Sequence, residues 1–262
     1  MSGKCSGALV IIYPQNDFCD CGGSLYVDGA EGDIVRLARH ISREGGKYSG
    51  VFVSLDSHDS IAIFHPKFWL CESGSTPAPF TAITEDDYRL GRFRTSRPEH
   101  GGYAERMFGA MARKNIPSIM VWPEHCVVST WGHAIAEPLK DALGVWRAAS
   151  GKPVRYIFKG ENPYTEQFSV FEGLDDLWPD TAFNKTLCSA LAGYESVTFA
   201  GEALSHCVEA SITSYVGHGG DAVSRQPKFV LSDCVSPVAG FGRDSSTRRL
   251  EALGVVLIPS DE

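Results

Sequence analysis

Two continuous apolar runs near the start of the chain constrain its fold more than any other feature. Residues 8–13 (ALVIIY) and 51–55 (VFVSL) are almost uninterrupted by polar residues, which is typical of strands buried on both faces of a parallel sheet. Between them, apolar residues recur at helical spacing over 30–44, and the arginines of this segment are left for solvent. This order of strand, helix and strand predicts a β-α-β unit with a right-handed crossover.

The rest of the chain continues this alternation of strands and helices. Further strands are predicted at 153–158, 197–200, 228–232 and 255–258, and further helices at 103–113, 183–192 and 245–253. About six strands that alternate with helices predict a single α/β domain over 1–262. Residues 71–101 are rich in Pro, Gly, Ser and Thr, so a surface insertion at about 71–115 is expected instead of a domain boundary.

Composition argues against several classes of function. The 262 residues include 24 Lys and Arg and 32 Asp and Glu, which gives a formal net charge of −8. An acidic chain without a basic tract is not expected to have nucleic acid as its main partner. The N-terminal apolar run is too short for a secretion signal or a membrane span, so a cytoplasmic location without a membrane partner is expected.

Cys207 is the candidate nucleophile among eight cysteines that are expected to be reduced thiols. A predicted strand and Gly201 precede it, and Ser205 is a good N-cap for the helix that follows. A thiol in the first turn of a helix is stabilised as the thiolate. The alternative is that Cys207 simply packs in the core, as free cysteines usually do. The eight are Cys5, Cys19, Cys21, Cys71, Cys126, Cys188, Cys207 and Cys234.

Polar residues follow the predicted strands at the edge where α/β sheets place their ligands. Asp56 and His58 come directly after the second strand, and their i, i+2 spacing in an extended segment allows both to bind one cation. A third ligand is required, and His125 is the best candidate. Lys159 follows the next strand at the same rim. For His58 and Lys159, taken singly, the alternative is an ordinary surface residue.

Together these motifs resemble the nicotinamidase branch of the isochorismatase-like cysteine hydrolases, and the resemblance extends in order over nearly the whole chain. The matching segments are Gln15-Asn16-Asp17-Phe18-Cys19, Gly22-Gly23-Ser24-Leu25, Asp56-x-His58, Trp122-Pro123-x-His125-Cys126-Val127, Lys159-Gly160 and Gly201-x-Ala203-x-x-x-Cys207-Val208. The resemblance implies a three-layer α/β/α sandwich with a six-stranded, mainly parallel sheet. It also implies hydrolysis of the carboxamide of nicotinamide to nicotinate and ammonia, in NAD salvage.

The resemblance assigns catalytic roles to several residues. Cys207 attacks the amide carbonyl and forms a thioester, and Lys159 stabilises the thiolate or the developing charge. The backbone N–H groups of Ala203 and Cys207 form the oxyanion hole. A cis peptide bond is expected between Glu202 and Ala203.

The resemblance also assigns binding roles. A divalent metal ion, zinc or iron, is held by Asp56, His58 and His125 and completed by waters that can engage the pyridine nitrogen. Phe18 and Trp122 wall the aromatic ring. His65 is a further candidate ligand, although its spacing from His58 is not fixed in the family.

Two positions depart from the family pattern. The family has an Asp two residues before the Gln of its first motif, where it takes the thiol proton and passes it to the leaving ammonia, and this chain has Tyr13. A tyrosine with a pKa of about 10 is a poor base at pH 7. The second departure is Glu202, where the family usually has an aliphatic residue. Our hypothesis is that Glu202 replaces the missing carboxylate, with Tyr13 as a relay for the proton. The alternative is that Glu202 points to solvent and Tyr13 disables the site.

Three functions remain open from the sequence. The first is an amidase of the nicotinamidase type, and the second is a non-catalytic relative that binds a metal and a nicotinamide-like ligand. The third is an interaction protein with a vestigial site, which the survival of Lys159 and Cys207 makes the weakest of the three. The sequence does not decide whether the protein is a homo-oligomer, or whether residues 71–101 form a lid or an oligomer contact.

Overall fold

All six strands expected from the apolar runs are present in the computed structural model, which describes residues 6–176 and 178–261. The strands are β1 (Gly7–Ile12), β2 (Tyr48–Asp56), β3 (Trp69–Cys71), β4 (Thr81–Ile83), β5 (Phe93–Thr95), β6 (Ile119–Val121), β7 (Arg155–Lys159), β8 (Val197–Gly201), β9 (Lys228–Leu231) and β10 (Val255–Ile258). The helices are α1 (Asn16–Cys19), α2 (Ala30–Glu44), α3 (Glu85–Arg89), α4 (Gly101–Arg113), α5 (Leu139–Ser150), α6 (Lys185–Ala192), α7 (Glu209–His218), α8 (Gly220–Arg225) and α9 (Arg243–Ala252).

The central sheet has the strand order β10-β9-β8-β1-β2-β7, and every neighbouring pair is parallel. β1 lies in the middle of this sheet, and its residues 8–12 are fully buried. This burial explains why its sequence is uninterrupted by polar residues. The predicted six-stranded parallel sheet and α/β class are therefore confirmed.

Because crossovers between parallel strands are right-handed as a rule, helices that connect strands in opposite directions along this sheet lie on opposite faces of it. The chain moves toward β7 through α2 and α5, which pack against each other, and toward β10 through α7 and α9, which also pack together. The result is the predicted three-layer α/β/α arrangement.

α5 has no counterpart in the sequence-based prediction, although its apolar side chains Leu139, Leu143 and Trp146 are buried. Trp146 joins α5 to the end of α2 by donating from Nε1 to the Gly45 carbonyl at 3.0 Å.

The region between β2 and β7 has a hydrophobic core of its own. Two small antiparallel sheets, β3 with β5 and β4 with β6, pack with the predicted helix α4. Trp69, Phe68 and Phe108 are among the side chains buried there, and Trp122 lies at the margin of the same cluster. Residues 71–115, expected as a surface insertion, thus contain short strands and helices around a second core.

None of the helices within the described ranges combines the length and the apolar character needed to cross a membrane. The seven cysteines in those ranges are free thiols, and Cys5 lies outside them.

Candidate active site

The carboxyl ends of three parallel strands bring the predicted polar residues to one cavity. Asp56 ends β2 and Lys159 ends β7, and the two residues are partners in the strand register. Cys207 follows β8 in the next turn of chain. All three line a cleft of about 530 Å³, including its open mouth. The sheet topology therefore assembles a nucleophile, a cation and a carboxylate that are far apart in sequence.

Cys207 lies in a π-helical turn, Leu204–Val208, that precedes α7. Ser205 is inside this turn and is not its N-cap, so that prediction is wrong. Ala203 precedes the turn in an extended conformation, and its carbonyl accepts from the backbone N–H groups of His206 and Val208. The Ser205 hydroxyl accepts instead from the Val238 N–H at 3.0 Å.

The electrostatic environment of Cys207 favours the thiol, not the thiolate. Burial strongly raises the pKa of Cys207, Lys159 opposes this shift, and the carboxylates of Asp56 and Glu166 add to it. A hydrogen bond with the backbone of Ala203 lowers the pKa in part. Activation by the start of the helix alone, as the sequence suggested, is therefore insufficient to make Cys207 a thiolate.

Ala203 lines the cavity next to Cys207, as expected for a contributor to an oxyanion hole. The peptide bond between Glu202 and Ala203 is cis, in agreement with the expectation. Gly201 has φ +101, and a Cβ there would lie 2.0 Å from the Ile12 carbonyl oxygen. Only glycine therefore allows the chain to leave β8 in this direction.

Lys159 is buried beneath the cavity, with its side chain only 3% exposed. Its Nζ lies 2.9 Å from Asp56 Oδ1 and donates to the Gln167 carbonyl. Nζ also lies 4.4 Å from the centroid of the Tyr13 ring, in a cation–π contact. The ammonium group is thus held by one carboxylate, one carbonyl and one aromatic face.

Tyr13 does not line the cavity. Its hydroxyl donates to the Phe168 carbonyl at 3.1 Å, and its ring stacks on Phe18 with centroids 5.9 Å apart. Burial raises the pKa of Tyr13 well above its usual value, and the charge of Asp56 adds to this effect. The phenol therefore stays protonated with its hydrogen directed to a carbonyl, so the structure does not support a role for Tyr13 as a proton relay.

Glu202 points away from the cavity. Its carboxylate is fully buried, Oε2 accepts from the Ser236 N–H at 3.1 Å, and the Asp33 carboxylate lies beside it. Ala203 lines the cavity, whereas Glu202 is not among the lining residues. This geometry contradicts the hypothesis that Glu202 supplies the missing catalytic carboxylate.

The Glu202→Gln variant is expected to change how the free energy of unfolding depends on pH. Burial, and then the charge of Asp33, raise the pKa of Glu202 well above its usual 4.5. Above pH 4.5 the unfolded chain releases a proton that the folded protein keeps, so this contribution to stability falls as pH rises through the folded pKa. Urea denaturation between pH 4 and 9 should show the wild type losing stability relative to Glu202→Gln as pH rises. The exposed Glu251→Gln serves as control, and a difference that is constant with pH contradicts this expectation.

Asp56, His58 and His125 form a buried cluster whose ligand atoms all lie within 4.8 Å of one another. His58 Nδ1 donates to the Gly160 carbonyl at 3.0 Å, and His125 Nδ1 donates to the Pro123 carbonyl at 2.8 Å. These contacts leave both Nε2 atoms as the free ligand nitrogens. Asp56 Oδ1 lies 2.9 Å from His58 Nε2 and from Lys159 Nζ without hydrogen-bond geometry to either. The donor set fits a divalent metal ion.

The charges around this cluster also favour metal binding. Burial alone raises the pKa of Asp56, but His58 and Lys159 outweigh it and the net shift is downward, so Asp56 is ionised. Burial, together with the charge of His58, lowers the pKa of His125 to about 3. An anionic carboxylate beside a neutral imidazole is the protonation state that a divalent ion requires.

His65 lies behind the cluster and not in it. Its Nε2 accepts from the His125 N–H at 3.4 Å and lies 3.2 Å from His125 Nδ1, on the opposite side from the free His125 nitrogen. Burial, and then His125 and His58, lower the pKa of His65 to about 2. His65 is therefore a neutral side chain that contacts His125 from outside the cluster.

Aromatic and apolar side chains wall the cavity on both sides of Cys207. Phe18 and Trp122, both expected from the sequence, line it. Phe18 also contacts the His125 ring edge to face, with centroids 5.5 Å apart. The cavity is also lined by side chains that were not predicted to wall it, which are Leu25, Tyr26, Val27, Phe168, His206 and Val238.

Glu166 is the functional candidate that sequence reasoning missed. It lines the cavity with Cys207 and Lys159, and its Oε2 accepts from Trp122 Nε1 at 3.1 Å. Burial raises the pKa of Glu166, while Lys159 and His58 oppose this shift. It belongs to the irregular segment between β7 and α6, where no periodicity indicates which side chains turn inward. Its position seven residues after Lys159 was the only available signal.

Comparison with known proteins supports the resemblance drawn from the motifs. None of the protein-family models compared with the chain matches it. The chain is 24% identical over 208 residues to the nicotinamidase of Saccharomyces cerevisiae, an alignment that covers 79% of each protein. This relative is described as acting on nicotinamide, as its name states.

Solved structures share the fold. The yeast nicotinamidase Pnc1p superposes with a TM-score of 0.67 at 20% identity, covering 96% of this chain and 99% of that one. The pyrazinamidase of Pyrococcus horikoshii, solved in complex with zinc, gives a TM-score of 0.57 at 19% identity, covering 97% and 99%. The resemblance to the nicotinamidase branch of isochorismatase-like hydrolases and the corresponding α/β fold are thus confirmed.

Proposed function

We propose that this chain, which combines the isochorismatase-like fold with sequence similarity to a nicotinamidase, hydrolyses nicotinamide to nicotinate and ammonia through a thioester on Cys207. The observation that carries the proposal is the shared cavity, in which Cys207, Lys159 and Ala203 face a space walled by Phe18 and Trp122. An aromatic slot with a thiol and a cation at its base suits a flat ring that carries a carboxamide.

In this reaction the Cys207 sulfur attacks the carbonyl carbon of the amide. The carbonyl oxygen becomes an oxyanion, and the N–H groups of Ala203 and Cys207 are the donors proposed to stabilise it. Lys159 stabilises the thiolate before attack, as its opposing effect on the pKa of Cys207 indicates. The C–N bond then breaks, ammonia leaves, and water hydrolyses the thioester to release the acid and restore the thiol.

Asp56, His58 and His125 are the residues proposed to hold a divalent metal ion, zinc or iron. A bound divalent ion supplies positive charge and coordinated waters beside the substrate ring. The zinc complex of the related pyrazinamidase favours zinc. This chain contributes the orientation of the ligands, because the Gly160 and Pro123 carbonyls hold the two imidazoles in one tautomer.

The second candidate function is binding without catalysis. The observation that favours it is Tyr13, which offers an aromatic face in place of a carboxylate beside Lys159. In that case the cavity binds a nicotinamide-like ligand next to the metal and leaves the amide intact. For the preferred reaction, we propose that its product nicotinate enters NAD salvage. We also propose that the protein acts in the cytoplasm.

The test is incubation of the purified, metal-loaded protein with nicotinamide, with nicotinate and ammonia measured together. Turnover is expected in the wild type and in Cys21→Ala, which lacks an exposed thiol outside the cavity, and is expected to vanish in Cys207→Ala. Absence of turnover combined with metal-dependent nicotinamide binding by calorimetry, weakened in Trp122→Ala, establishes the second function. Absence of both turnover and binding rejects both.

A further inference from the structure

We propose that Glu166 is the residue that accepts and returns the catalytic proton, a role that the side chain at position 13 cannot perform in this chain. The inference rests on the proposed amide hydrolysis. Glu166 lines the same cavity as Cys207, Lys159 and Trp122. Its carboxylate is close enough to Cys207 that its charge contributes to raising the pKa of the thiol.

The Glu166 carboxylate is held in position from two directions. Oε2 accepts from Trp122 Nε1 at 3.1 Å, and Oε1 accepts from the Gln167 N–H at 3.2 Å. The Glu166 carbonyl in turn accepts from the Leu174 N–H at 2.7 Å. A carboxylate fixed in this way has little conformational freedom left to lose when it meets a bound amide.

The surroundings of Glu166 raise its pKa, as expected for a general base. Burial raises its pKa, Lys159 and His58 lower it, Asp56 raises it, and the Trp122 hydrogen bond lowers it. The charge of Glu166 in turn raises the pKa of Cys207 and of Tyr13. A carboxyl group whose pKa is raised above its usual value is a more effective general base than an unperturbed one.

The other candidate bases are less suitable. Tyr13 donates its hydroxyl hydrogen to the Phe168 carbonyl, and Glu202 faces Ser236 outside the cavity. Asp56 belongs to the metal cluster. His206 lines the cavity, but its Nδ1 is bonded to the Ser205 hydroxyl at 2.9 Å and burial lowers its pKa. Among the described residues that line the cavity, Glu166 is the carboxyl group that is not part of the metal cluster.

The proton balance of the proposed step is complete. Glu166 takes the proton from the Cys207 thiol as the sulfur forms its bond to the carbonyl carbon. The same proton passes to the amide nitrogen as the C–N bond breaks, so ammonia leaves as a neutral molecule. Glu166 then takes a proton from the water that attacks the thioester, and this proton returns to the sulfur as the C–S bond breaks.

The experiment compares Glu166→Gln, Glu166→Asp and the exposed neighbour Glu161→Gln in the metal-loaded protein, with nicotinamide as substrate. Glu166→Gln is expected to lower kcat by about 10²–10⁴-fold and to remove the acidic limb of the kcat/KM profile. Glu161→Gln keeps the wild-type profile, and Glu166→Asp recovers part of the activity. His206→Gln keeps the acidic limb.

A second measurement separates this inference from the proposed function. The rate of Cys207 alkylation by iodoacetamide, followed by peptide mass spectrometry across pH, reports the thiol pKa without any substrate turnover. Glu166→Gln is expected to lower that pKa, because a neighbouring negative charge is removed. If the wild type does not hydrolyse nicotinamide but the alkylation profile shifts, the proposed function fails and the coupling of Glu166 to Cys207 stands. Wild-type turnover with Glu166→Gln within threefold of Glu161→Gln overturns the inference, as does an unshifted alkylation profile.

Discussion

Replacement of Gly160 with alanine is expected to abolish metal binding and amide hydrolysis together. Gly160 has φ +75, and a Cβ there would lie 2.4 Å from His58 Cε1, 2.7 Å from His58 Nδ1 and 2.8 Å from Asp56 Oδ1. Contacts this short force both ligands to move, and the hydrogen bond that orients His58 through the Gly160 carbonyl is distorted with them. Loss of such an orienting contact typically costs about 10–100-fold in metal affinity, and displacement of two ligands adds to this.

The matched control for this variant is Gly151→Ala. Gly151 also has a positive φ, +67, but a Cβ there meets no atom within 4 Å. It therefore carries only the cost of a left-handed alanine, about 1–2 kcal/mol. Metal content by elemental analysis and nicotinamide turnover should be lost in Gly160→Ala and retained in Gly151→Ala. A Gly160→Ala protein that binds one equivalent of metal at wild-type affinity contradicts the assignment of the site.

The Lys159→Met variant is expected to lose turnover by at least about 10²-fold, because methionine keeps the apolar stem but removes the charge. Lys159 opposes the burial and the carboxylates that raise the pKa of Cys207. Without it, the pKa of the thiol rises further and the proton becomes harder to remove. The pH profile of Cys207 alkylation is expected to move toward higher pH.

Lys159→Met is also expected to destabilise the fold when metal is removed with a chelator. Lys159 and Asp56 are 3% and 5% exposed at the side chain, and loss of one partner from such a buried pair typically costs about 3–5 kcal/mol. Lys140→Met is the control, because Lys140 pairs with Glu137 at a surface where its side chain is 64% exposed. Urea denaturation should show a loss of stability for Lys159→Met and little change for Lys140→Met. Equal stability of the two variants contradicts a stabilising role for the buried pair of Lys159 and Asp56.

The sheet could be predicted from the sequence because buried parallel strands leave an unmistakable pattern. The runs around Val10 and Val53 are apolar on both faces, and helix α2 was predicted with its observed bounds. α5 was missed although Leu143 and Trp146 lie on one buried face. The second core was missed because its strands are three residues long, too short for either period to appear.

The motifs predicted most of the site. The prediction failed where the direction of a side chain decides whether it reaches the cavity. Asp56, His58 and His125 are brought together as expected. Glu202 was wrongly predicted to face the cavity, because its closeness in sequence to Cys207 does not show in which direction its carboxylate points. Glu166 lies in a segment without periodicity, so only the folded chain shows that its carboxylate enters the cavity.

The cavity lies where the two hydrophobic cores meet, so its two aromatic walls belong to different cores. Cys207 and Phe18 belong to the core of the large sheet, whereas Trp122 belongs to the smaller core and contacts Phe80 edge to face. The reacting groups therefore stand on the scaffold that is hardest to alter. Trp122 stands on the smaller core, which can diverge without disturbing them, so new ligand preferences are expected to be accessible through mutations confined to that core.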